Sequence, residues 1–179
     1  PSGFQDFAEA FALHERGGEG AADSLAVLSR DRTQPAVVRA SALARLGERP
    51  AVVAFEAARA GLVDPDPLAR RAALTILEAL PPAQRIGLAA PLLSDPVRIV
   101  RLQAAWVLAP VSASLPTAAL RSAFTRASNE FIASQRYLAD RPENRVTLGS
   151  YLAQLGRSGE AAAEYRAALR MRPTEVAAY

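Results

Sequence analysis

The chain has 179 residues, half of them hydrophobic and only 6% aromatic, and its formal net charge is +3. A chain of this length can bury a substantial core in one or two domains, and none of its apolar runs approaches the roughly 20 residues that a bilayer-spanning helix needs. The absence of cysteine excludes disulfides, thiolate catalysis, cysteine-ligated zinc and covalent c-type haem attachment within these residues.

The apolar residues are mainly alanine and leucine, which favour closely packed helices over a sheet of β-branched and aromatic residues. We therefore expect an all-α fold. All 21 basic residues are arginine, and acidic residues are interspersed among them along the whole chain. The charge pattern contains no basic block that would follow a phosphate backbone, so it does not favour nucleic acid as a partner.

The amino-terminal segment predicts a helical hairpin. Three phenylalanines at helical spacing predict an amphipathic helix over residues 4–14, which the Gly17-Gly18 pair ends. A partner helix is expected over residues 21–29. Residues 1–31 match the pattern of the following segment poorly, so we interpret them as a divergent first repeat, or cap, of a repeat array.

An internal repeat with a period of 31 residues follows. Asp64 and Arg70 recur as Asp95 and Arg101, and the same period places Arg39 before Arg70. A constant period in this range predicts a solenoid of stacked helical hairpins, which we expect to be right-handed. Asp64 and Asp95 each precede a proline and are expected to cap the helices that follow. The expected first helices cover about 35–47, 65–80 and 96–109, and the expected second helices about 50–62 and 82–93.

The placement of aspartate and arginine in these copies resembles that of HEAT repeats, and the short period resembles the subgroup first described in phycobilisome lyases. The resemblance implies a hydrogen-bonded ladder between neighbouring repeats. The first copy departs from it, with Thr33 where the others have aspartate. The expected ladder residues are Asp64, Arg70, Asp95, Arg101 and Arg39. HEAT-like alkylpurine DNA glycosylases grip a phosphate backbone with such arginines, but the constant Asp-to-Arg spacing favours internal pairing of the charges.

The period breaks after Pro116, and residues 117–140 read as one long helix, so that 111–141 is expected to connect two domains. The next segment resembles a tetratricopeptide repeat. Residues 142–179 are therefore expected to hold one such repeat and the start of a second, after a HEAT-like domain over 1–110. The small, large and turn positions of the tetratricopeptide pattern are held by Leu148, Gly149, Leu152, Gly156, Ala161, Tyr165, Ala168 and Pro173.

The chain offers little for catalysis. His14 is the single histidine, so neither a Ser-His-Asp set nor a two-histidine metal site can be assembled. We interpret it as a surface residue or a helix C-terminal charge, with a ligand role in a larger protein as the alternative. Phosphate-binding loops and zinc-protease motifs are absent from the sequence. We therefore expect no enzyme and no cofactor within these residues.

Trp106 stands where the two other copies have Ala44 and Thr75, so the repeat is modified at this position. We expect it to cover the junction with the long helix, and contact with a partner is the alternative. Tetratricopeptide domains that clamp a peptide carboxylate have lysine and asparagine at two positions held here by Val146 and Ser150. That mode of binding is therefore not expected.

The leading interpretation is a non-enzymatic scaffold for protein–protein contact that binds a protein partner or another domain of its own chain. The expected surface is the second-helix layer of the HEAT-like repeats together with the first helix of the tetratricopeptide-like repeat. A less favoured alternative is a HEAT-type nucleic-acid binder.

The order of the repeats also resembles the carboxy-terminal part of bacterial multihaem c-type cytochromes. In that case the whole protein would be periplasmic and would hold haem c outside this chain. A start at Pro1 without methionine, and a new helical pattern just before Tyr179, indicate a piece of a longer protein. An uncovered apolar face on helix 158–171 would then favour self-association at that end.

Overall fold

The computed structural model describes residues 3–48 and 52–171, with side chains described from Phe7 onward. Over these ranges the protein consists of ten α-helices and three short 3₁₀ helices, without a strand, so the all-α prediction is confirmed. The chain forms two compact units, Pro1–Val107 and Leu108–Tyr179. In the described ranges, no helix combines the length and apolar character that crossing a bilayer requires.

The first unit is a succession of short helices. They are α1 (Gly3–Glu15), α2 (Ala21–Arg30), α3 (Ala36–Glu48), α4 (Val52–Gly61), α5 (Pro67–Ile76), α6 (Pro82–Ala89) and α7 (Arg98–Leu108), whose last residue already belongs to the second unit. The 3₁₀ helices Leu77–Ala79 and Ala90–Ser94 extend α5 and α6. The sequence predicts a single helix across each of these junctions, because the apolar spacing continues through the tighter turn.

Glycine and proline set the helix boundaries in this unit. Gly17 and Gly20 have positive φ angles of 64° and 76°, which separates α1 from α2. The sequence places Asp64 as the cap of α5, but the helix begins at Pro67, and Asp66 caps it by accepting a 2.8 Å hydrogen bond from the amide of Leu68. The helical backbone conformation is unfavourable for a residue that precedes proline, so Asp66 stays extended. The helix therefore starts at Pro67, two residues later than expected.

Consecutive helices pack against each other to form the core of the first unit. The helix α3 contacts α2 and α5, and α4 contacts the same two helices. Gly61 makes this packing close, because a Cβ atom at this position would lie 2.9 Å from both the Cβ of Ala73 and the Cδ1 of Leu43. The core consists largely of alanine and leucine, as the composition predicts.

The second unit contains a 3₁₀ helix (Ala109–Ser114), α8 (Ala118–Tyr137), α9 (Pro142–Gln154) and α10 (Ser158–Met171). Thr117 caps α8 by accepting a hydrogen bond from the amide of Leu120. The long helix expected over 117–140 is present but ends at Tyr137. It lies in the same compact unit as α9 and α10 and contacts α9.

Candidate functional site

The ladder residues of the first unit bind across consecutive copies of the repeat. Arg39 in α3 donates two hydrogen bonds to Asp64, from Nε to Oδ2 at 3.0 Å and from Nη2 to Oδ1 at 2.9 Å. Asp64 precedes α5, so this pair joins the first copy to the second. Both side chains are buried, and a bidentate guanidinium–carboxylate contact of this kind fixes geometry as well as charge.

The next pair repeats this geometry. Arg70 in α5 donates from Nε to Oδ2 of Asp95 at 2.7 Å and from Nη2 to Oδ1 at 3.0 Å. Each aspartate therefore binds the arginine 25 residues before it. The constant spacing in the sequence favoured instead the pairing of Asp64 with Arg70 and of Asp95 with Arg101, six residues later in each case, whereas the resemblance to HEAT repeats implied contact between neighbouring copies.

The aspartates also hold the turns that lead into α5 and α7. Oδ1 of Asp64 accepts a hydrogen bond from the amide of Asp66, and Oδ1 of Asp95 accepts one from the amide of Val97, both at 2.8 Å. Burial alone would raise the pKa of each carboxyl, but the hydrogen bonds from arginine and from the backbone, with the arginine charges, hold both pKa values below the ordinary 3.8. Both groups are therefore carboxylates at neutral pH.

Arginines near the starts of five helices bind the backbone of the preceding loop. Nη1 of Arg70 donates to the carbonyl of Asp64, and Nη1 of Arg101 donates to the carbonyl of Asp95, both at 2.8 Å. Two further members of this set, Arg121 and Arg145, lie in the second unit and were not predicted from the sequence. Each of them follows by six residues the loop residue whose carbonyl it binds. The remaining contacts join Arg39 to Gln34, Arg121 to Leu115 and Arg145 to Ala139.

The tetratricopeptide-like positions lie in the α9–α10 hairpin. A Cβ atom at Gly149 would lie 2.7 Å from Cε1 of Tyr165, so the absence of a side chain in α9 lets the tyrosine ring pack against the helix. Ala161 and Ala168 are buried in α10. Gly156 has a φ of 73° in the turn between the helices. Pro173 lies outside the described residues.

Two polar contacts join α9 to α10. Nη1 of Arg145 lies 3.0 Å from Oε2 of Glu164, and the Tyr165 hydroxyl lies 3.1 Å from Oγ of Ser150. The Tyr165 hydroxyl is thus an intramolecular partner of the Ser150 hydroxyl.

Trp106 is half-buried and donates a hydrogen bond to the carboxylate of Glu78 in the first unit. Desolvation raises the pKa of Glu78, and the charge of Arg85 and the bond from Trp106 act in the opposite direction. The tryptophan therefore ties α7 to the end of the preceding copy. Its expected contact with the long helix stays a prediction.

His14 is buried, with 8% of its surface exposed, which corrects the expectation of a surface residue. Its Nε2 atom lies 3.1 Å from Oε2 of Glu48 at the end of α3. The ring lines a cavity of about 200 Å³ with the Gly17–Gly18 turn, the start of α2 and Arg45. To bind a metal through Nε2, the histidine would have to leave Glu48. Among the described residues, no group of three or more histidine, aspartate or glutamate side chains could hold a metal ion.

Exposed apolar side chains recur with the repeat on its first helices, α3, α5 and α7. Val37, Leu68 and Ile99 are 60%, 44% and 40% exposed. Successive members are one repeat period apart, and each stands two residues before a ladder arginine. Each of these arginines donates a hydrogen bond to a carbonyl of the loop before its own helix, so the side chain two residues earlier has an equivalent position in each of the three helices. We refer to Val37, Leu68 and Ile99 as the apolar row.

The positions that follow the apolar row on the same helix faces, within two turns, are almost free of charge. Nine positions lie one or two turns after Val37, Leu68 or Ile99 on the same helix faces. All nine are exposed or half-buried, and one of them is charged. These positions are Ala40, Ser41 and Ala44 in α3, Arg71, Ala72 and Thr75 in α5, and Leu102, Gln103 and Trp106 in α7. Sequence reasoning found the period but not this face, since periodic apolar residues are usually part of a core.

The second-helix layer, which the sequence favoured as the contact surface, is different. Val27 in α2 and Val52 in α4 are each highly exposed. In α4, the exposed positions that follow Val52 are Glu56 and Arg59. An exposed valine among charged residues is ordinary protein surface. The first helices of the three copies, α3, α5 and α7, are therefore the ones on which an exposed apolar residue recurs with the repeat.

Comparisons of this chain with protein-family models, with curated proteins and with solved structures find no match.

Proposed function

We propose that this chain is a non-enzymatic scaffold for protein–protein contact and that the apolar row is its binding surface. The observation that carries the proposal is the exposure of Val37, Leu68 and Ile99 at one register position in three successive first helices. Single exposed apolar residues are common, whereas an exposed set that recurs with the repeat extends into a surface. Burial of such a row by a partner is favourable because it removes apolar area from water.

The proposed architecture is a solenoid of helical hairpins, HEAT-like in the first unit and tetratricopeptide-like in the α9–α10 hairpin. The pairs Arg39–Asp64 and Arg70–Asp95 support the first assignment, because each joins one copy to the next through the same atoms. The close contact of Gly149 with Tyr165 supports the second. Repeat arrays of this kind present extended surfaces to partners.

The ladder arginines do not favour a nucleic-acid surface. Arg39 is almost fully buried, and its guanidinium group is held by Asp64 and by the Gln34 carbonyl. Arg70 is held in the same way by Asp95 and the Asp64 carbonyl. Neither can contact a phosphate without breaking these bonds, so protein is the better supported partner.

The proposal can be tested by selecting peptides from a displayed random library on the purified chain. The selected peptides are then measured by fluorescence anisotropy against the wild type and against the row variant V37S/L68S/I99S. We expect the row variant to bind at least about tenfold more weakly, which corresponds to about 1.4 kcal/mol. The control is V27S/V52S, which removes two valines that are even more exposed, at 70% and 76%, from the second helices α2 and α4.

Three results would contradict the proposal. They are the absence of any selected peptide, equal binding by the row variant and the wild type, and loss of binding in V27S/V52S alone. The last result would identify the second-helix layer as the contact surface. Thermal melts of both variants, followed by circular dichroism, ensure that a loss of binding is not a loss of fold.

A further inference from the structure

Arg71 is the one charged residue among the nine positions that surround the apolar row. It lies one turn after Leu68 in α5, so the two side chains share a helix face. Its side chain is exposed, and it forms no ion pair within the part of the chain that the structure describes. By contrast, Arg70, its neighbour in sequence, is held by Asp95.

The acidic residues nearest to this face are already engaged. Oε2 of Glu48, three turns after Val37 in α3, lies 3.1 Å from Nε2 of His14. Asp64 binds Arg39, and Asp66 caps α5 through the amide of Leu68. Glu78, at the other end of the same helix, accepts a hydrogen bond from Trp106. The nine positions that surround the apolar row include no acidic residue. The face therefore has an apolar centre and, at Arg71, a positive charge that is not paired with any carboxylate of the described residues.

We propose that the apolar row binds a protein segment that carries carboxylates beside its apolar side chains, with Arg71 as their counter-ion; this inference rests on the proposed function. A partner that covers Leu68 also removes water from Arg71. A carboxylate is then the group that satisfies the guanidinium best, because the two planar groups can form paired hydrogen bonds. Arginine beside apolar anchors is also a frequent contributor to binding energy in protein interfaces.

The same observations disfavour two other occupants. A second copy that pairs through the same face would bring Arg71 near another Arg71, and the carboxylates of Glu48 and Glu78 already have partners, which is unfavourable for association. A basic segment would add positive charge beside Arg71. The charge of the face thus selects an acidic, apolar segment among protein partners.

The peptides selected on the wild-type chain supply the test. We expect them to combine apolar residues with aspartate or glutamate. Replacement of the acidic residue by its amide is expected to weaken binding to the wild type about fivefold, the range of a single exposed ion pair. The same replacement is expected to have no effect on binding to R71Q. R71E is expected to bind the acidic peptide more weakly than R71Q does and to prefer a peptide with lysine in place of the acid.

Failure of this inference is distinguishable from failure of the proposed function. Selected peptides without acidic residues, or binding that is equal in R71E and the wild type, would overturn the role of Arg71. Continued loss of binding in V37S/L68S/I99S would then still support the apolar row as the surface. A dimer in sedimentation velocity that disappears in the row variant would overturn the acidic segment in favour of a second copy.

Discussion

Arg70 and Asp95 are 25 residues apart and share two hydrogen bonds, of 2.7 Å and 3.0 Å, that join one copy of the repeat to the next. Both side chains are largely buried. Loss of either partner leaves the other charge with reduced solvation and no counter-ion, which costs more than the pair itself contributes.

We therefore expect R70A and D95A each to lower the free energy of unfolding by about 1–3 kcal/mol. The double variant should cost less than the sum of the two, because the penalty of an unpaired partner is then removed. Urea unfolding followed by circular dichroism measures all three. The control is R71A, which removes an exposed arginine without an ion pair and should change stability by less than about 0.5 kcal/mol. Additive effects would show that the two residues do not act as a pair.

The lowered pKa values of Asp64 and Asp95 predict that the fold loses stability in acid. A carboxyl with a folded pKa below its unfolded value stabilises the fold above the unfolded pKa, and this contribution disappears as the pH falls through the folded pKa. With an ordinary value of 3.8, the loss should begin below about pH 5 and continue below pH 4. Urea unfolding from pH 7 to pH 3 measures it.

The variant D64N/D95N provides the comparison for the acid measurement. It lacks both carboxylates, so its stability should be lower than that of the wild type at pH 7 and should change less between pH 5 and pH 3. Parallel curves for the two proteins over this range would mean that other acidic residues account for the acid sensitivity.

Gly149 is expected to resist substitution because of Tyr165. Alanine in a helix interior is normally about 1 kcal/mol more favourable than glycine. At this position, however, the added methyl would lie 2.7 Å from the tyrosine ring and force it to move. G149A should therefore destabilise the wild type but stabilise a Y165A variant.

The control for this sign change lies in α10 of the same hairpin. A Cβ atom at Gly159 would have no neighbour within 4 Å, so G159A should have the same small effect in both backgrounds. Thermal unfolding of the six proteins gives the comparison. If G149A had the same effect with and without the tyrosine, ring contact would not explain the glycine.

Trp106 is the single tryptophan of the chain, so its fluorescence reports on Glu78. Because desolvation raises the pKa of Glu78, we expect the emission to change with a midpoint above the ordinary 4.5. Protonation removes the negative charge of the group that accepts the indole hydrogen bond. In E78Q this step should be absent, and persistence of the step would assign it to another group.

The spacing in the sequence identified the residues of the ladder but not their pairing, and only the resemblance to HEAT repeats implied contact between neighbouring copies. A period of 31 residues shows that Asp64 and Arg70 recur together, and it is equally compatible with contact within a copy and contact between copies. Only the packing of α3 against α5 decides that Asp64 meets Arg39. The all-α fold class was predictable from the composition, because alanine and leucine favour closely packed helices.

The exposure of Val37, Leu68 and Ile99 could not be predicted in the same way. Apolar residues at a constant period usually indicate a core, and exposure depends on which side of each helix the neighbouring helices cover. The burial of His14 was missed for a similar reason. Its environment is formed by Glu48, 34 residues later, together with the turn between α1 and α2.

Arg39 and Arg70 each bind the aspartate 25 residues later in the sequence, whereas the repeat has a period of 31 residues. This geometry has a consequence for changes in chain length. Excision of residues 64–94 would place Asp95 at the point where Asp64 now meets Arg39, with the same 25-residue separation. A duplication of the same segment would likewise supply one new arginine and one new aspartate in matching positions. Gains and losses of whole copies therefore keep these arginines and aspartates matched in number and in position along the repeat.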